Sequence, residues 1–316
     1  MATRLAVCYV GSDGYLFQTV LSATQARQHL GFEARIFVLS LGQHDSDEAQ
    51  AFLRVCADAG VELLSAPAES LNGLPVAYAR LFLDLHLPAD IDEILYLDGD
   101  TQIVGDLGPL LLASPPEDGV IGVKDPMVFI RETSPAFRRK VDHWWEESEI
   151  PDEVRPRYIN SGVLRVRRHD LAGLRAKVLA LHERKGHHTR FLDQDLINIA
   201  LGDDVATASL GWNFPGFLLG TAIAEHETVH VAHFMSNPRP WQAPYSPWGA
   251  RYFAPYAALA ARYPEIGRYW GRATRTQRVR YQAQQFYKHM TERRLWQSVG
   301  AERAVERMRL TDSLPA

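Results

Sequence analysis

The chain of 316 residues contains little cysteine and no long apolar run. Its two cysteines, Cys8 and Cys56, stand far apart, each in an apolar pattern. This argues against a disulfide framework or a cysteine-bound metal and fits a reducing compartment. No stretch approaches the roughly 18 consecutive apolar residues of a membrane span, and the apolar run near the N-terminus is too short for a secretion signal. The sequence therefore predicts a cytoplasmic protein.

A strong overall charge is also lacking. The formal net charge is only −4, so no global field would attract a nucleic acid, and we expect no nucleic-acid partner. The basic residues are unevenly distributed, however, because residues 268–316 are rich in arginine and helical in period. We therefore divide the chain into a domain at 1–267 and a basic helical extension at 268–316.

Apolar residues recur at helical spacing within this extension, and basic residues flank them. The apolar positions are Val279, Ala283, Phe286 and Met290, and the basic ones are Arg275, Arg278, Arg280 and Lys288. Such a helix can bind anionic lipid through its apolar stripe and its basic flanks. This predicts peripheral contact with the inner face of the plasma membrane. A helix packed on the domain with a solvated arginine face would show the same pattern, so both alternatives stay open.

Strand and helix periodicities alternate along the first hundred residues. Near-continuous apolar segments predict strands at 4–10, 33–41, 61–66 and 93–98, and helical periods predict helices at 17–30, 45–59 and 77–87. Further strands are predicted at 118–125, 161–168 and 229–234. Alternation of helices with fully buried strands is typical of an α/β fold whose parallel sheet is covered on both faces.

The stretch ILYLDGDTQIV, Ile94–Val104, runs from an apolar strand directly into two carboxylates. Ligands of open α/β sheets lie beyond the carboxyl ends of the strands, which is where Asp98 and Asp100 stand. Their oxygens could converge on Mg²⁺ or Mn²⁺ if the chain bends, and Gly99 permits a bend. A solvated turn after a strand would use the same residue types. The pair alone leaves both interpretations open.

Two enzyme classes place an Asp-x-Asp pair after a buried strand. Aspartate-nucleophile phosphohydrolases do so, and Asp203 with Asp204 could supply their later acidic pair. That class, however, has threonine at the position that Gln102 occupies here. Nucleotide-sugar glycosyltransferases use the pair to hold a metal on the donor diphosphate. The motifs AYARLFL, IDEILYLDGDTQIVGDL, YINSGVLRV, FLDQDLINIAL, LGWNF and HVAHFMSNPRPW follow one another in order. Together they resemble the family 8 retaining glycosyltransferases, the group of bacterial lipopolysaccharide galactosyl- and glucosyltransferases and of glycogenin.

The resemblance covers about residues 5–248 and implies a single GT-A nucleotide-binding domain with a mixed, mainly parallel sheet. It implies a UDP-hexose donor, glucose or galactose, and a saccharide or glycolipid acceptor. The implied cofactor is Mn²⁺, with Mg²⁺ as the alternative, and the implied ligands are Asp98, Asp100 and His233. A nucleotide-sugar-binding relic without turnover is a further hypothesis.

The same resemblance assigns residues to the donor. Arg80 matches an arginine that reaches the donor sugar and phosphates, and Arg239 stands where the family commonly has a lysine on the diphosphate. Trp241, beside that loop, is expected at the acceptor groove. The remaining assigned positions are Ser12, Asp13 and Tyr15 near uracil, Gly99 in the metal turn, Ser236 in the phosphate loop, and Asn160, Asp193 and Gln194 around the sugar.

The implied reaction breaks the C1–O bond through an oxocarbenium-like state and retains the α configuration at C1. Gln194 would lie on the β face of C1, where a glutamine side chain is a poor nucleophile. We therefore expect front-face attack, in which the leaving diphosphate takes the acceptor proton. Arg80, Asp193 and Gln194 are the predicted catalytic residues.

Overall fold

The computed structural model describes residues 4–12, 14–32, 34–42, 47–185, 189–296 and 298–314. The strands are β1 Leu5–Ser12, β2 Arg35–Leu41, β3 Glu62–Ala66, β4 Glu93–Leu97, β5 Thr101–Ile103, β6 Val120–Lys124, β7 Ile159–Arg167, β8 Val205–Ala208, β9 Phe214–Pro215 and β10 Val231–His233. The α-helices are α1 Leu16–Gln28, α2 Asp47–Asp58, α3 Leu83–His86, α4 Gly108–Leu112, α5 Pro126–Thr133, α6 Pro135–Glu147, α7 Arg168–Lys185, α8 Leu192–Leu201, α9 Ala222–Glu225, α10 Gly249–Arg262, α11 Pro264–Gly267, α12 Arg275–Trp296 and α13 Val299–Arg309. Short 3₁₀ helices span Ala68–Leu71, Val76–Phe82, Arg155–Arg157, Leu210–Asn213 and Gly216–Leu218.

The main sheet has seven strands in the order β3-β2-β1-β4-β7-β6-β8. β7 runs antiparallel to both of its neighbours, and the other neighbouring pairs are parallel. Successive residues of β1 alternate between two buried clusters, with Val7 and Tyr9 in one and Ala6 and Cys8 in the other. The sheet is therefore covered on both faces, and the predicted mixed, mainly parallel α/β architecture is confirmed.

A smaller sheet of β5, β10 and β9 stands at the carboxyl end of β4. The chain passes from β4 into β5 through Asp98, Gly99 and Asp100, so these residues form the turn that joins the two sheets. β10 pairs antiparallel with β5 and places His233 opposite Thr101. The pairing between the sheets thus brings the end of a late strand beside the acidic turn.

One predicted helix takes a different form. The segment expected to be helical at 77–87 is a 3₁₀ helix, Val76–Phe82, followed by the single turn α3. With about three residues per turn, Tyr78 and Leu81 stack on one side while Ala79 and Phe82 stack on the next, and all four are buried. The apolar pattern alone did not specify this tighter coil. Positions 45 and 46 of the helix predicted at 45–59 lie outside the described residues.

The last two helices behave differently from each other. α13 packs on α5, and its Ala301, Ala304 and Val305 are buried in the same core as β1. In addition, Lys124 Nζ donates to Asp312 Oδ1 at 2.9 Å in a buried ion pair that ties this end of the chain to β6. α12 instead leaves large apolar side chains in solvent. Part of the predicted extension thus belongs to the main core. The boundary at residue 267 stays a prediction.

Candidate active site

The acidic turn after β4 is held by backbone hydrogen bonds and by close packing. Asp98 N donates to Gly162 O at 2.8 Å, and Thr101 N donates to Asp98 O at 3.2 Å, which closes the turn. A Cβ at Gly99 would lie 2.1 Å from Thr19 Oγ1 on α1, so no larger residue fits there. Glycine is therefore required by the approach of α1, since Gly99 is not among the residues with positive φ. The sequence indicated only that Gly99 permits a bend, and the structure adds this packing reason for a glycine.

The side chains of Asp98, Asp100 and His233 converge, with one candidate ligand atom from each lying within 4.8 Å of the others. His233 Nε2 lies 3.0 Å from Asp100 Oδ1 and 3.7 Å from Asp98 Oδ2. His233 Nδ1 lies 2.8 Å from Asn213 Oδ1, an oxygen that only accepts, so Nδ1 carries a proton and Nε2 faces the carboxylates. Two carboxylates and a correctly oriented imidazole fit a divalent cation of the Mn²⁺ type.

Opposite charges hold this cluster together. Burial alone would raise the pKa of Asp100, but His233 and Arg239 hold it well below its usual range. Burial alone would lower the pKa of His233, and the Asp100 and Asp98 carboxylates outweigh that effect and raise it. Asp100 thus keeps its negative charge at this site, as a carboxylate ligand of a cation must.

Arg80 connects the acidic turn to α8. Its guanidinium is buried, with Nη2 at 3.1 Å from Asp98 Oδ1 and Nε at 3.2 Å from Asp193 Oδ2. It also lies over the ring of Tyr96, whose hydroxyl donates to Asp98 Oδ1 at 2.5 Å. Burial raises the pKa of Asp193 to about 6, and Arg80 opposes that rise. The nearby Asp195 on the same helix has other partners, since its oxygens accept from the Tyr158 hydroxyl and from Phe191 N.

A hydrogen-bond network built around amide side chains lies beside the charged cluster. Gln194 Oε1 accepts from Asn160 Nδ2 at 3.0 Å and from Ser161 N at 3.1 Å. Gln194 Nε2 donates to Asp125 Oδ2 and to the Tyr158 hydroxyl, each at 3.1 Å. All four hydrogen-bonding positions of this amide are therefore occupied by protein groups. The network fixes the orientation of Gln194 and leaves neither lone pair of Oε1 free.

Two residues that the sequence did not single out complete this arrangement. Asn213 links the charged cluster to the amide network, since its Oδ1 faces His233 and its Nδ2 donates to Asn160 Oδ1 at 3.0 Å. Asp125, directly after β6, accepts from Asn160 and Gln194, and burial raises its pKa. Asn213 stands in the quoted motif LGWNF, and Asp125 ends a predicted strand as Asp98 does. Their positions were thus visible in the sequence, but their partners were not.

Comparison with known proteins places this site in a family. Residues 7–244 match the family model described as glycosyl transferase family 8, which covers most of the chain. The chain belongs to glycosyltransferase family 8. The resemblance drawn from the ordered motifs is therefore confirmed, and no curated protein matches the chain.

Solved structures of family 8 enzymes share this fold. The galactosyltransferase LgtC, solved with donor and acceptor sugar analogues, is 20% identical and superposes with a TM-score of 0.62, covering 87% of this chain and 99% of its own. The apo form of GlyE from Streptococcus pneumoniae TIGR4 is 20% identical with a TM-score of 0.57, covering 85% of this chain and 63% of its own. The bifunctional enzyme WbbM in its apo form is 17% identical with a TM-score of 0.66, covering 85% of this chain and 51% of its own. At these identities the likeness establishes the GT-A fold.

The loop after β10 carries the remaining positions that were expected near the donor phosphates in this family 8 protein. The Arg239 guanidinium is paired with Asp100 and lies over the ring of Trp241. Ser236 is exposed and lines a cavity on the far part of the loop. Trp241 is buried and packs edge-on against Tyr256, so its expected place at an acceptor groove is wrong.

The turn after β1 carries the positions expected near uracil. Ser12 O accepts from Tyr15 N at 2.9 Å, which closes the turn before α1. The Tyr15 ring is 42% exposed and lies edge-on to Trp241 at 5.7 Å, so its free edge can meet a ligand. Asp13 lies outside the described residues. Ser12 and Tyr15 share the carboxyl edge of the sheet with Asp98, because β1 and β4 are parallel neighbours.

The acidic pair of the phosphohydrolase hypothesis lies elsewhere. Asp203 and Asp204 precede β8, which runs parallel to β6, so they stand at the amino edge of the sheet. Asp203 is largely exposed and paired with Arg157. Because Asp98 ends a strand at the opposite edge, the two acidic pairs do not form one site.

Proposed function

We propose that this protein is a retaining glycosyltransferase that moves a hexose, glucose or galactose, from a UDP-sugar to a saccharide or glycolipid acceptor. The observation that carries the proposal is the convergence of Asp98, Asp100 and His233 at the carboxyl edge of a family 8 fold. These residues would hold Mn²⁺, with Mg²⁺ as the alternative, and the bound ion would neutralise the departing diphosphate. A cytoplasmic location stays a prediction.

The chain's own residues then orient the donor. Arg80 and Asp193 form a buried pair beside Asp98. There the Arg80 guanidinium can donate to phosphate oxygens, and the Asp193 carboxylate can accept from sugar hydroxyls. Arg239 can exchange its contact with Asp100 for the diphosphate, in which case a bidentate guanidinium replaces the lysine common in the family. Asn160 and Gln194 place amide dipoles beside the position proposed for C1.

The saturated hydrogen bonding of Gln194 supports front-face attack. A double displacement through Gln194 would need a free lone pair on Oε1, and both already accept hydrogen bonds. In the proposed step, the acceptor oxygen forms a bond to C1 on the face from which the diphosphate departs. The C1–O bond to phosphate breaks, and the acceptor proton passes to the departing phosphate oxygen.

The experiment that tests this function is incubation of purified protein with Mn²⁺ and a panel of nucleotide sugars, with UDP release as the signal. Metal-dependent UDP release from a UDP-hexose is the expected result. Phosphate release from simple phosphoesters without UDP release would select the phosphohydrolase instead. Binding of UDP-hexose by calorimetry without either reaction would select the non-catalytic relic.

Peripheral membrane contact through α12 is part of the same proposal. Val279, Phe286 and Met290 are 70%, 68% and 62% exposed, so this stripe is available to a lipid surface. None of the helices in the described part of the chain is long and apolar enough to span a bilayer. Such contact would bring a glycolipid acceptor to the enzyme.

A further inference from the structure

A cavity of about 210 Å³ lies between the loop after β10 and helix α12. One wall is the loop from Phe234 to Pro238, which joins His233 of the cation cluster to Arg239. The opposite wall comes from α12 and includes Gln285 and Trp296. The cavity therefore borders the segment that links the proposed metal and diphosphate contacts.

The walls of this cavity are held close together. A Cβ at Gly216 would lie 2.5 Å from the ring of Phe234, so glycine is needed where the 3₁₀ helix meets the loop. Gln285 Nε2 donates to Ser246 O at 2.8 Å, which fixes α12 against the segment after the loop. Phe217 and Trp296 approach at 5.4 Å between ring centroids and close one side. The cavity is thus built by tertiary contacts among three segments.

The lining combines aromatic faces with polar groups. Phe217, Trp248 and Trp296 offer apolar ring surfaces, and Ser236 and Gln285 offer hydrogen-bonding groups. Gln285 Oε1 is buried and has no hydrogen-bond partner among the described residues. Sugar rings present apolar CH faces and hydroxyl donors, which suit such a lining. The volume is below the roughly 300–1,000 Å³ of pockets for larger ligands, which suits one sugar ring better than a nucleotide.

We propose that this cavity binds a saccharide unit of the acceptor and that α12 thereby sets acceptor specificity. The inference rests on the proposed function, because front-face attack brings the acceptor in beside the departing diphosphate, and the loop that carries Arg239 borders this cavity. Ser246, Gln285 and Trp296 all lie beyond residue 244, where the family match ends. Acceptor choice would therefore depend in part on residues outside the region that the family model matches.

The test compares Gln285→Trp, which fills the cavity, with Gln282→Trp, the same change at an exposed position of the same helix. Each protein is loaded with UDP and Mg²⁺, and binding of lactose and of maltose is followed by saturation-transfer NMR. We expect at least one disaccharide to bind the unchanged protein and Gln282→Trp, and Gln285→Trp to lose at least tenfold in affinity. Gln285→Ala removes the unpartnered oxygen and should bind the disaccharide more weakly than the unchanged protein. It replaces Gln285→Trp in the test if the tryptophan variant does not fold.

Calorimetry with UDP separates this inference from the function on which it rests. UDP should bind all the variants with similar affinity, since Gln285 lies outside the proposed donor site. If UDP binds and neither disaccharide binds the unchanged protein, the cavity is not a saccharide subsite. Unchanged disaccharide affinity in both Gln285 variants would also overturn the proposal. Failure of the unchanged protein to bind UDP would count against the glycosyltransferase itself.

Discussion

The two parts of the candidate site are held together by different forces. The charged part is held by opposite charges that are buried or half-buried. It consists of Asp98, Asp100, His233, Arg80 and Arg239. The amide part around Asn160 and Gln194 is held by hydrogen bonds among amides, a hydroxyl and the Asp125 carboxyl group, each of which contributes about 1 to 3 kcal/mol. A cation and a diphosphate can replace protein charges in the first part, whereas the second is already saturated. We therefore expect substitutions in the charged part to cost far more activity.

Asp100→Asn should have the largest effect. It removes one charge from a proposed dication site, which costs several kcal/mol of leaving-group stabilisation, so metal-dependent UDP release should fall by at least about 100-fold. The measurement is the initial rate of UDP release with saturating Mn²⁺, together with thermal unfolding to show that the fold survives. Asp118→Asn is the matched control, because Asp118 is exposed and its positive φ of 55° is also tolerated by asparagine. Near-normal turnover of Asp100→Asn would refute the metal assignment.

Asn213→Ala tests the link between the two parts. It removes the acceptor that keeps the proton on His233 Nδ1, so Mn²⁺ affinity should fall by about 10- to 100-fold without any change in the ligands. Electron paramagnetic resonance of free Mn²⁺, without nucleotide, measures that affinity directly. Gln194→Ala should leave the Mn²⁺ affinity unchanged. Equal losses in both variants would mean that the charged and amide parts act as one unit.

Gln194→Ala should lower turnover modestly, by about tenfold, because the side chain only stabilises charge that develops at C1. The rate of UDP release at saturating donor and Mn²⁺ provides the measurement. Mass spectrometry of the unchanged enzyme, quenched during turnover, should detect no glycosyl adduct on Gln194. Such an adduct would establish double displacement and contradict front-face attack.

The smallest effect on chemistry is expected at the exposed stripe of α12. Phe286→Ser combined with Met290→Ser should leave UDP release unchanged but reduce sedimentation with anionic vesicles at low salt. The basic residues that remain would each contribute about 1 kcal/mol near such a surface. Leu85→Ser combined with Leu112→Ser is the control, since both leucines are more than 60% exposed elsewhere. Removal of the chain beyond Gly267 is a weaker test, because it would also take α13 from the core.

If both double variants sediment like the unchanged protein, α12 does not dock on lipid through this stripe. The acceptor then need not be membrane-borne, and the saccharide cavity beside α12 would be the remaining role for the extension.

Local patterns were enough to predict much of the fold. Apolar strands alternating with helical periods predicted the doubly covered sheet, and the step from ILYL to DGD marked the carboxyl edge where ligands bind. The pattern at 77–87 did not distinguish a 3₁₀ helix from an α-helix, because both give a buried apolar surface. Likewise, the stripe of α12 and the apolar face of α13 look alike in sequence, and packing alone decided that α13 is buried.

The sequence by itself determined that two carboxylates end a buried strand, because strand burial and the Asp-Gly-Asp turn are properties of neighbouring residues. Only the tertiary structure decided what those carboxylates meet. Asp100 and Arg239 are 139 residues apart in the chain, and the pairing of β5 with β10 brings them together. The same holds for Asn213 and Asp125, since hydrogen-bond partners are set by which strand ends share an edge. Sequence spacing carries no such information about distant segments.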